Sequence, residues 1–170
     1  MDAAYAFESR WDAPAPPERC WPLLEGVVLS DRSWWPGVSV PDPPVRIAPG
    51  EQLTFRVRSP AGYVLRMRLR LTDVQPGIRI AAESTGDLEG TGSIELTRTS
   101  VGGSLITIRW TVTTRRAWMN ATARVLRPVF VAVHDRVMRT GERALLAELA
   151  SEVRNAGNPG ESSDPPPSAG

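Results

Sequence analysis

The sequence predicts an α+β fold in which a curved antiparallel sheet wraps around one long C-terminal helix, with short helices after the first strand. Two observations lead to this prediction. From Leu53 to Thr114 the apolar residues mostly occupy every second position, which is typical of half-buried strands. From Ala117 to Ala150 they recur every three or four positions, which is typical of an amphipathic helix. A sheet wrapped around a helix often leaves space between the two, so the pattern favours binding of a small apolar molecule.

The N-terminal part of the chain predicts a strand, a short helix and an aromatic corner. Residues 5–12 alternate apolar and polar side chains, as a strand does. Pro17 suits a first helical turn, and we expect this helix to be kinked or short because of Pro22 and to end at Gly26. The sequence Trp-Trp-Pro-Gly-Val at 34–38 predicts a tight corner, and a proline-rich connection follows it.

Five further strands are predicted between residues 53 and 114, with turns at clusters of glycine, proline, serine and aspartate residues. Each strand has one apolar face, which predicts an antiparallel sheet with one side in water. Ile78 is assigned to the apolar face, and Gly90 and Gly92 predict a bend or bulge. Some apolar strand residues are expected to face the helix, and some helix residues are expected to face them. Together we call them the inward set: Phe55, Leu65, Met67, Leu69, Ile80, Ile94, Ile108, Trp110, Phe130, Val133 and Val137.

The closing helix carries an apolar stripe that indicates packing on the sheet. Pro128 predicts a kink in it, and Asp135 and Arg139 have the spacing of a surface ion pair. The residues after Arg154 lack apolar anchors. We therefore expect one domain over residues 1–152 and a disordered tail over 153–170.

The composition excludes several classes of site. Cys20 is the only cysteine and His134 the only histidine, which excludes an internal disulfide and zinc sites built from several such residues. Every basic residue is arginine, which excludes Schiff-base chemistry on a lysine. We predict no metal and no cofactor. No apolar run approaches the roughly 18 residues of a membrane span, and the first residues do not resemble a secretory signal, so we expect a cytoplasmic protein without membrane insertion.

Nucleic acid is not a predicted partner. The net charge is +1, and one arginine stripe on two neighbouring strands is the only feature that suggests phosphate binding. No aromatic residues interleave with these arginines, and nearby glutamates on the same face offset their charge, which favours an ordinary solvated surface. The stripe comprises Arg56, Arg58, Arg66, Arg68 and Arg70.

Three motifs resemble a known superfamily. Residues 16–24 (PPERCWPLL), residues 34–38 (WWPGV) and the helix segments 127–130 and 134–142 are similar to bacterial members of the START and polyketide cyclase/dehydrase (SRPBCC) superfamily. The resemblance spans roughly residues 4–150 and implies its helix-grip fold, in which ligands lie between the sheet and the long helix. Pro22 and residues 26–29 depart from the pattern, so the cavity mouth is expected to differ.

The resemblance implies that the chain binds a hydrophobic or aromatic small molecule, of polyketide, lipid or quinone type, in an internal cavity. Trp34 and Trp35 either gate this cavity or form an apolar plug under the short helices. The ligand identity and the oligomeric state stay open. The expected ligand-binding residues are Trp34, Trp35, Phe55, Met67, Leu69, Trp110, Phe130, Val133, His134 and Val137.

Two alternatives remain at this point. The first is a cofactor-free cyclase or dehydratase, for which Ser9, Tyr63, Asn120 and His134 are the available polar groups. No catalytic residue is assigned, because acid–base chemistry needs converging groups and the sequence does not show convergence. The structural alternative for His134 is stacking beside Phe130 or Met138. The second alternative is a protein-interaction module with a packed interior and a functional outer sheet face.

Overall fold

A computed structural model describes residues 4–31, 33–59, 62–114 and 117–157, with side chains except at 117–127, 129 and 157. The elements are the strands β1 (Ala4–Ala13), β2 (Val38–Ser39), β3 (Gln52–Arg58), β4 (Val64–Gln75), β5 (Arg79–Gly86), β6 (Leu88–Arg98) and β7 (Ser104–Thr114), and the helices α1 (Pro17–Leu29) and α2 (Ala117–Gly157).

The strands form one antiparallel sheet in the order β1-β7-β6-β5-β4-β3-β2. The meander from β3 to β7 follows the chain, and β1 returns to pair with β7, placing Phe7 beside Trp110. The sheet curls around α2. This confirms the predicted α+β helix-grip architecture. The two-residue β2 was not predicted from the sequence.

The connection after β1 contains one described helix of 13 residues rather than several short ones. Pro17 occupies its first turn as predicted, but the helix does not end at Gly26. It continues to Leu29 because Leu24 and Val27, three residues apart, are both buried against the core. Packing of this face outweighs the low helix propensity of glycine.

The aromatic corner is a turn with glycine at the position that requires it. The Val38 amide donates to the Trp35 carbonyl at 3.1 Å, and Gly37 has a φ of +84°. Proline followed by glycine with positive φ is the pattern of a type II turn. The turn places β2 against β3, where the Arg58 amide donates to the Gly37 carbonyl at 2.7 Å.

Two details of the meander differ from the prediction. Ile78 is 56% exposed, because its amide closes the turn that begins at Gln75 and precedes β5. The register shift lies between Leu71 and Asp73 of β4, whereas the pairing of β6 with β7 is unbroken at Gly90 and Gly92. Instead, these glycines allow β6 to lie close to atoms of β7, because a Cβ atom at either position would overlap Thr111 or Trp110.

The hydrophobic core is closely packed at one end of the space between the sheet and α2. There the second half of α2 inserts Leu145 and Leu149. The Arg19 guanidinium of α1 holds this end of α2, at 3.4 Å from the Leu149 carbonyl and 3.0 Å from the Glu152 carboxylate. Other members of this cluster are Trp11, Cys20, Trp21, Leu24, Leu71 and Ile106.

The C-terminal boundary also differs from the expectation. Helix α2 continues to Gly157, so residues 153–157 are helical, and the rest of the expected tail lies outside the described residues. The helix runs on across Pro128. Asp135 and Arg139 do not form the expected ion pair; the Asp135 carboxylate lies 3.7 Å from Nδ1 of His134 instead.

The outer sheet face carries paired charges. Arg109 of β7 bonds Glu8 at 2.9 Å and Glu95 at 2.8 Å, and these contacts to the neighbouring strands hold the pKa of Glu8 below its usual value. Arg70 of the arginine stripe bonds Glu83 at 2.6 Å. At Arg70, a nearby glutamate therefore offsets the positive charge of the stripe, as expected from the sequence. Within the described part of the chain, no helix is long and apolar enough to cross a membrane.

Candidate functional site

A cavity of about 210 Å³ lies between the concave face of the sheet and α2. Every residue of the inward set lies on its wall. The alternating pattern explains this arrangement, because residues two apart on each strand point to the same face of the sheet. Among the described residues of α2, Leu145 and Leu149 pack in the filled part of the core. The cavity lies along the segment of α2 from Phe130 to Met138.

The expected ligand-binding residues lie on this wall, with the exception of Trp34. The Trp34 indole donates from Nε1 to the Leu23 carbonyl at 2.8 Å, which fixes the corner to α1. Its ring stacks on Trp35 with centroids 6.1 Å apart. Trp35 is buried on the wall and donates from Nε1 to the Val137 carbonyl at 3.1 Å. Their roles in binding stay predictions.

Sequence reasoning missed two parts of the wall. Tyr5 and Phe7 of β1 belong to it, as do Leu24, Val27 and Val28 of α1. A signal existed for both groups. Tyr5 and Phe7 are two apart in an alternating strand, and the three α1 residues have the three-and-four spacing of one helix face.

Few polar side chains reach the cavity. Besides Tyr5, the described polar wall residues are Ser59, Tyr63, Ser93, His134 and Arg109. The guanidinium of Arg109 is bonded to Glu8 and Glu95 on the outer face, so its charge is directed away from the interior. None of the described wall residues is an aspartate or glutamate. The described part of the wall therefore presents an uncharged, mainly apolar surface with isolated hydrogen-bonding groups.

His134 stacks on Phe7, not beside Phe130 or Met138 as expected. The two ring centroids are 4.0 Å apart with planes 12° from parallel. Phe7 is in turn stacked with Tyr5 at 5.7 Å, and Tyr5 meets Phe130 edge-on at 6.2 Å. The sequence could not place this stack, because it depends on the return of β1 to the far edge of the sheet.

The imidazole of His134 has an unusual environment. Both ring nitrogens are buried, and neither has a hydrogen-bond partner among the described residues. Burial lowers the pKa of His134 below its ordinary value, and the Asp135 carboxylate, 3.7 Å from Nδ1, opposes that shift only in part. The ring is therefore neutral at pH 7, with one nitrogen that donates and one that accepts.

The remaining polar candidates have different positions relative to the cavity. Tyr63, just before β4, lies on the wall, whereas half-buried Ser9 does not. The side chain of Asn120 lies outside the described residues. Cys20 is fully buried, and burial raises the pKa of its thiol, as for an unreactive structural cysteine. The described residues contain no cluster of three side chains suited to a metal ion.

Solved structures share this architecture. The chain is similar to the Zhui aromatase/cyclase from Streptomyces sp. R1128, with 20% identity, a TM-score of 0.69, and coverage of 91% of this chain and 99% of that one. It is similar to the di-domain aromatase/cyclase BexL from the BE-7585A biosynthetic pathway, with 20% identity, a TM-score of 0.61, and coverage of 85% and 49%. Protein Ms6760 from Mycobacterium smegmatis gives 19% identity, a TM-score of 0.60, and coverage of 85% and 90%.

These similarities establish the fold. The protein has the helix-grip fold of these aromatase/cyclases, as the resemblance of the sequence motifs implied. No protein-family model and no curated protein sequence matches the chain. At identities near 20%, function has to be argued from the cavity itself.

Proposed function

We propose that this protein binds a hydrophobic or aromatic small molecule, of polyketide, lipid or quinone type, in the cavity between the sheet and α2. The observation that carries the proposal is the cavity itself, about 210 Å³ in volume and walled by the inward set. Protein interiors are normally close-packed, and an apolar void loses contact energy. A ligand that fills the void restores those contacts.

The chemistry of the wall supports an apolar ligand. Transfer of apolar surface out of water stabilises a complex by about 25 cal/mol per Å², and small-molecule sites are mostly apolar with a few polar groups. Two of the similar structures are aromatase/cyclases, one of them from a biosynthetic pathway, and this similarity favours the polyketide type among the three. The proposal includes a cytoplasmic location and no nucleic-acid partner.

Native mass spectrometry of the gently purified protein tests the proposal. We expect a non-covalent adduct that is released when the protein is unfolded. A second arm measures the melting temperature with naphthalene as the probe. A ligand at 100 times its Kd stabilises the folded state by about 2.7 kcal/mol, so the melting temperature should rise. A bare polypeptide mass together with an unchanged melting temperature would contradict the proposal.

A cofactor-free cyclase or dehydratase is the second candidate function. The observation that favours it is the neutral His134 on the wall, since an uncharged imidazole can accept a proton from a carbon beside a ketone. The test is cyclisation of a linear poly-β-ketone thioester, followed by mass spectrometry against the spontaneous reaction. Loss of the enzymatic product in a stable His134→Gln variant would support catalysis. A rate equal to the spontaneous one in the unmodified protein would exclude it for this substrate.

The protein-interaction hypothesis predicted a packed interior. The cavity is inconsistent with that prediction. The pairing of Arg70 with Glu83 also leaves one arginine fewer on the outer sheet face for a partner protein.

A further inference from the structure

The imidazole of His134 is a hydrogen-bonding group in an otherwise apolar part of the cavity. Both of its nitrogens are buried without a hydrogen-bond partner among the described residues, and the Asp135 carboxylate lies 3.7 Å from Nδ1, beyond hydrogen-bond distance. A buried polar group without a partner costs about 1–3 kcal/mol, so most buried polar groups in proteins are satisfied. A hydrogen bond supplied by a ligand would remove this cost.

The ring is held in a fixed orientation. It lies against the face of Phe7 at 4.0 Å, and Phe7 is braced by Tyr5. Stacking occupies a face of the imidazole and leaves its edge, which carries the nitrogens, available for hydrogen bonding. His134 itself is on the cavity wall together with Val133 and Val137, so a ligand in the cavity would lie beside the imidazole ring.

The surroundings discriminate against a charged ligand. The only arginine on the described wall, Arg109, is neutralised by Glu8 and Glu95 on the outer face. An anion held against the described wall would be desolvated without a compensating cation, which is strongly unfavourable. A cation would likewise lack a carboxylate on the described wall.

We propose that His134 is the hydrogen-bonding anchor of the cavity and selects an uncharged ligand whose aromatic ring carries a hydroxyl group. The inference rests on the proposed binding function and extends it to a chemical class. A hydroxyl both donates and accepts, so it pairs with either nitrogen of a neutral imidazole. The neighbouring rings of Tyr5, Phe7 and Phe130 favour an aromatic frame, since aromatic pairs gain energy beyond area burial.

Three probes with the same ring system test the inference at pH 7.5: naphthalene, 2-naphthol and 2-naphthoate. Isothermal titration calorimetry gives the Kd of each for the unmodified protein and for His134→Phe. Phenylalanine preserves the stack on Phe7 and removes both nitrogens. A net hydrogen bond corresponds to about a 2- to 12-fold gain in affinity. We expect 2-naphthol to bind the unmodified protein tighter than naphthalene by that factor, and 2-naphthoate to bind weakest.

The variant distinguishes the contribution of the His134 hydrogen bond from that of the rest of the cavity. In His134→Phe we expect the preference for 2-naphthol over naphthalene to disappear, so that the ratio of the two Kd values falls to about 1, whatever the Kd of naphthalene itself becomes. A preference that survives in the variant would overturn the role of His134, and tighter binding of 2-naphthoate than of 2-naphthol would overturn the selection against charge. Failure of naphthalene to bind either protein would instead count against the proposed binding function.

Discussion

The indole of Trp35 donates from Nε1 to the Val137 carbonyl at 3.1 Å and lies directly against Gly141. A Cβ atom placed on Gly141 would be 2.6 Å from that same Nε1, closer than side chains approach each other. Trp35 therefore fastens the aromatic corner to α2. The contact lies between the hollow part of the grip and the end filled by Leu145, so it closes one side of the cavity.

Gly141→Ala should destabilise the protein although alanine is the better helix former. The added methyl group must displace the buried Trp35 ring, and overpacking of this kind costs about 1–3 kcal/mol. Against this, the helix-propensity gain is only about 1 kcal/mol. We expect a net loss in the free energy of unfolding of up to about 2 kcal/mol, measured by urea denaturation.

Gly26→Ala is the matched control, because Gly26 is also helical and nothing lies within 4 Å of a Cβ placed there. This variant should gain up to about 1 kcal/mol from propensity alone. Equal stabilisation by the two substitutions would show that Trp35 does not press on Gly141.

The stability of the protein should fall as the pH is lowered below 6.5. His134 has a lowered pKa in the folded state because burial disfavours its charged form. Between the lowered pKa and the ordinary value near 6.5, the unfolded chain binds a proton that the folded protein does not. Stability then decreases with falling pH, by no more than about 1.4 kcal/mol between pH 8 and 5.5. Urea denaturation at the two pH values measures the loss.

His134→Phe isolates the source of this effect, since the chain has no other histidine. The variant should show almost no change between pH 8 and 5.5. The pKa of Glu8 is lowered by its bond to Arg109, and the pKa of Glu18 is lowered by a backbone hydrogen bond and by Arg98, so these groups contribute only at more acid pH. An equal loss in the variant and the unmodified protein would assign the pH dependence to other groups.

The strands and most of the cavity wall could be predicted because their signal is local. A side chain two positions from an inward residue on a strand is inward as well, so Met67 and Leu69 could be placed without a structure. Ile78 is an exception to this rule, because its amide closes the turn before β5 and its side chain is exposed.

The contacts that give the site its chemistry were not predictable, because they join distant segments. His134 meets Phe7 only because β1 pairs with β7, and no local pattern reports that pairing. Trp34 and Trp35 are adjacent and identical in type, yet only Trp35 reaches the cavity. Their indoles donate to carbonyls of different helices, Leu23 in α1 and Val137 in α2, and composition does not distinguish these contacts.

Ala82→Leu should fill part of the cavity and weaken naphthalene binding. Ala82 is buried on the wall at the centre of β5, between Leu71 and Gly92 on the neighbouring strands. The larger side chain occupies space that the ligand needs, so we expect at least a tenfold rise in the Kd of naphthalene, equivalent to about 1.4 kcal/mol. Stability should change by less than the cost of about 1–3 kcal/mol that is usual in a filled core.

Thr111→Leu controls for added apolar bulk, since Thr111 is exposed on β7. It should leave the Kd of naphthalene unchanged in calorimetry. If Ala82→Leu also left the Kd unchanged while remaining folded, the probe would have to bind elsewhere.

Phenylalanine substitutions should separate the roles of the two adjacent tryptophans. Trp34→Phe removes the 2.8 Å bond to the Leu23 carbonyl outside the cavity, so we expect a loss of about 1 kcal/mol in unfolding free energy and an unchanged Kd for naphthalene. Trp35→Phe removes the bond to Val137 and part of the wall, so both quantities should change. Urea denaturation and calorimetry on both variants measure the difference. A changed Kd in Trp34→Phe at unchanged stability would make Trp34 a gate of the cavity.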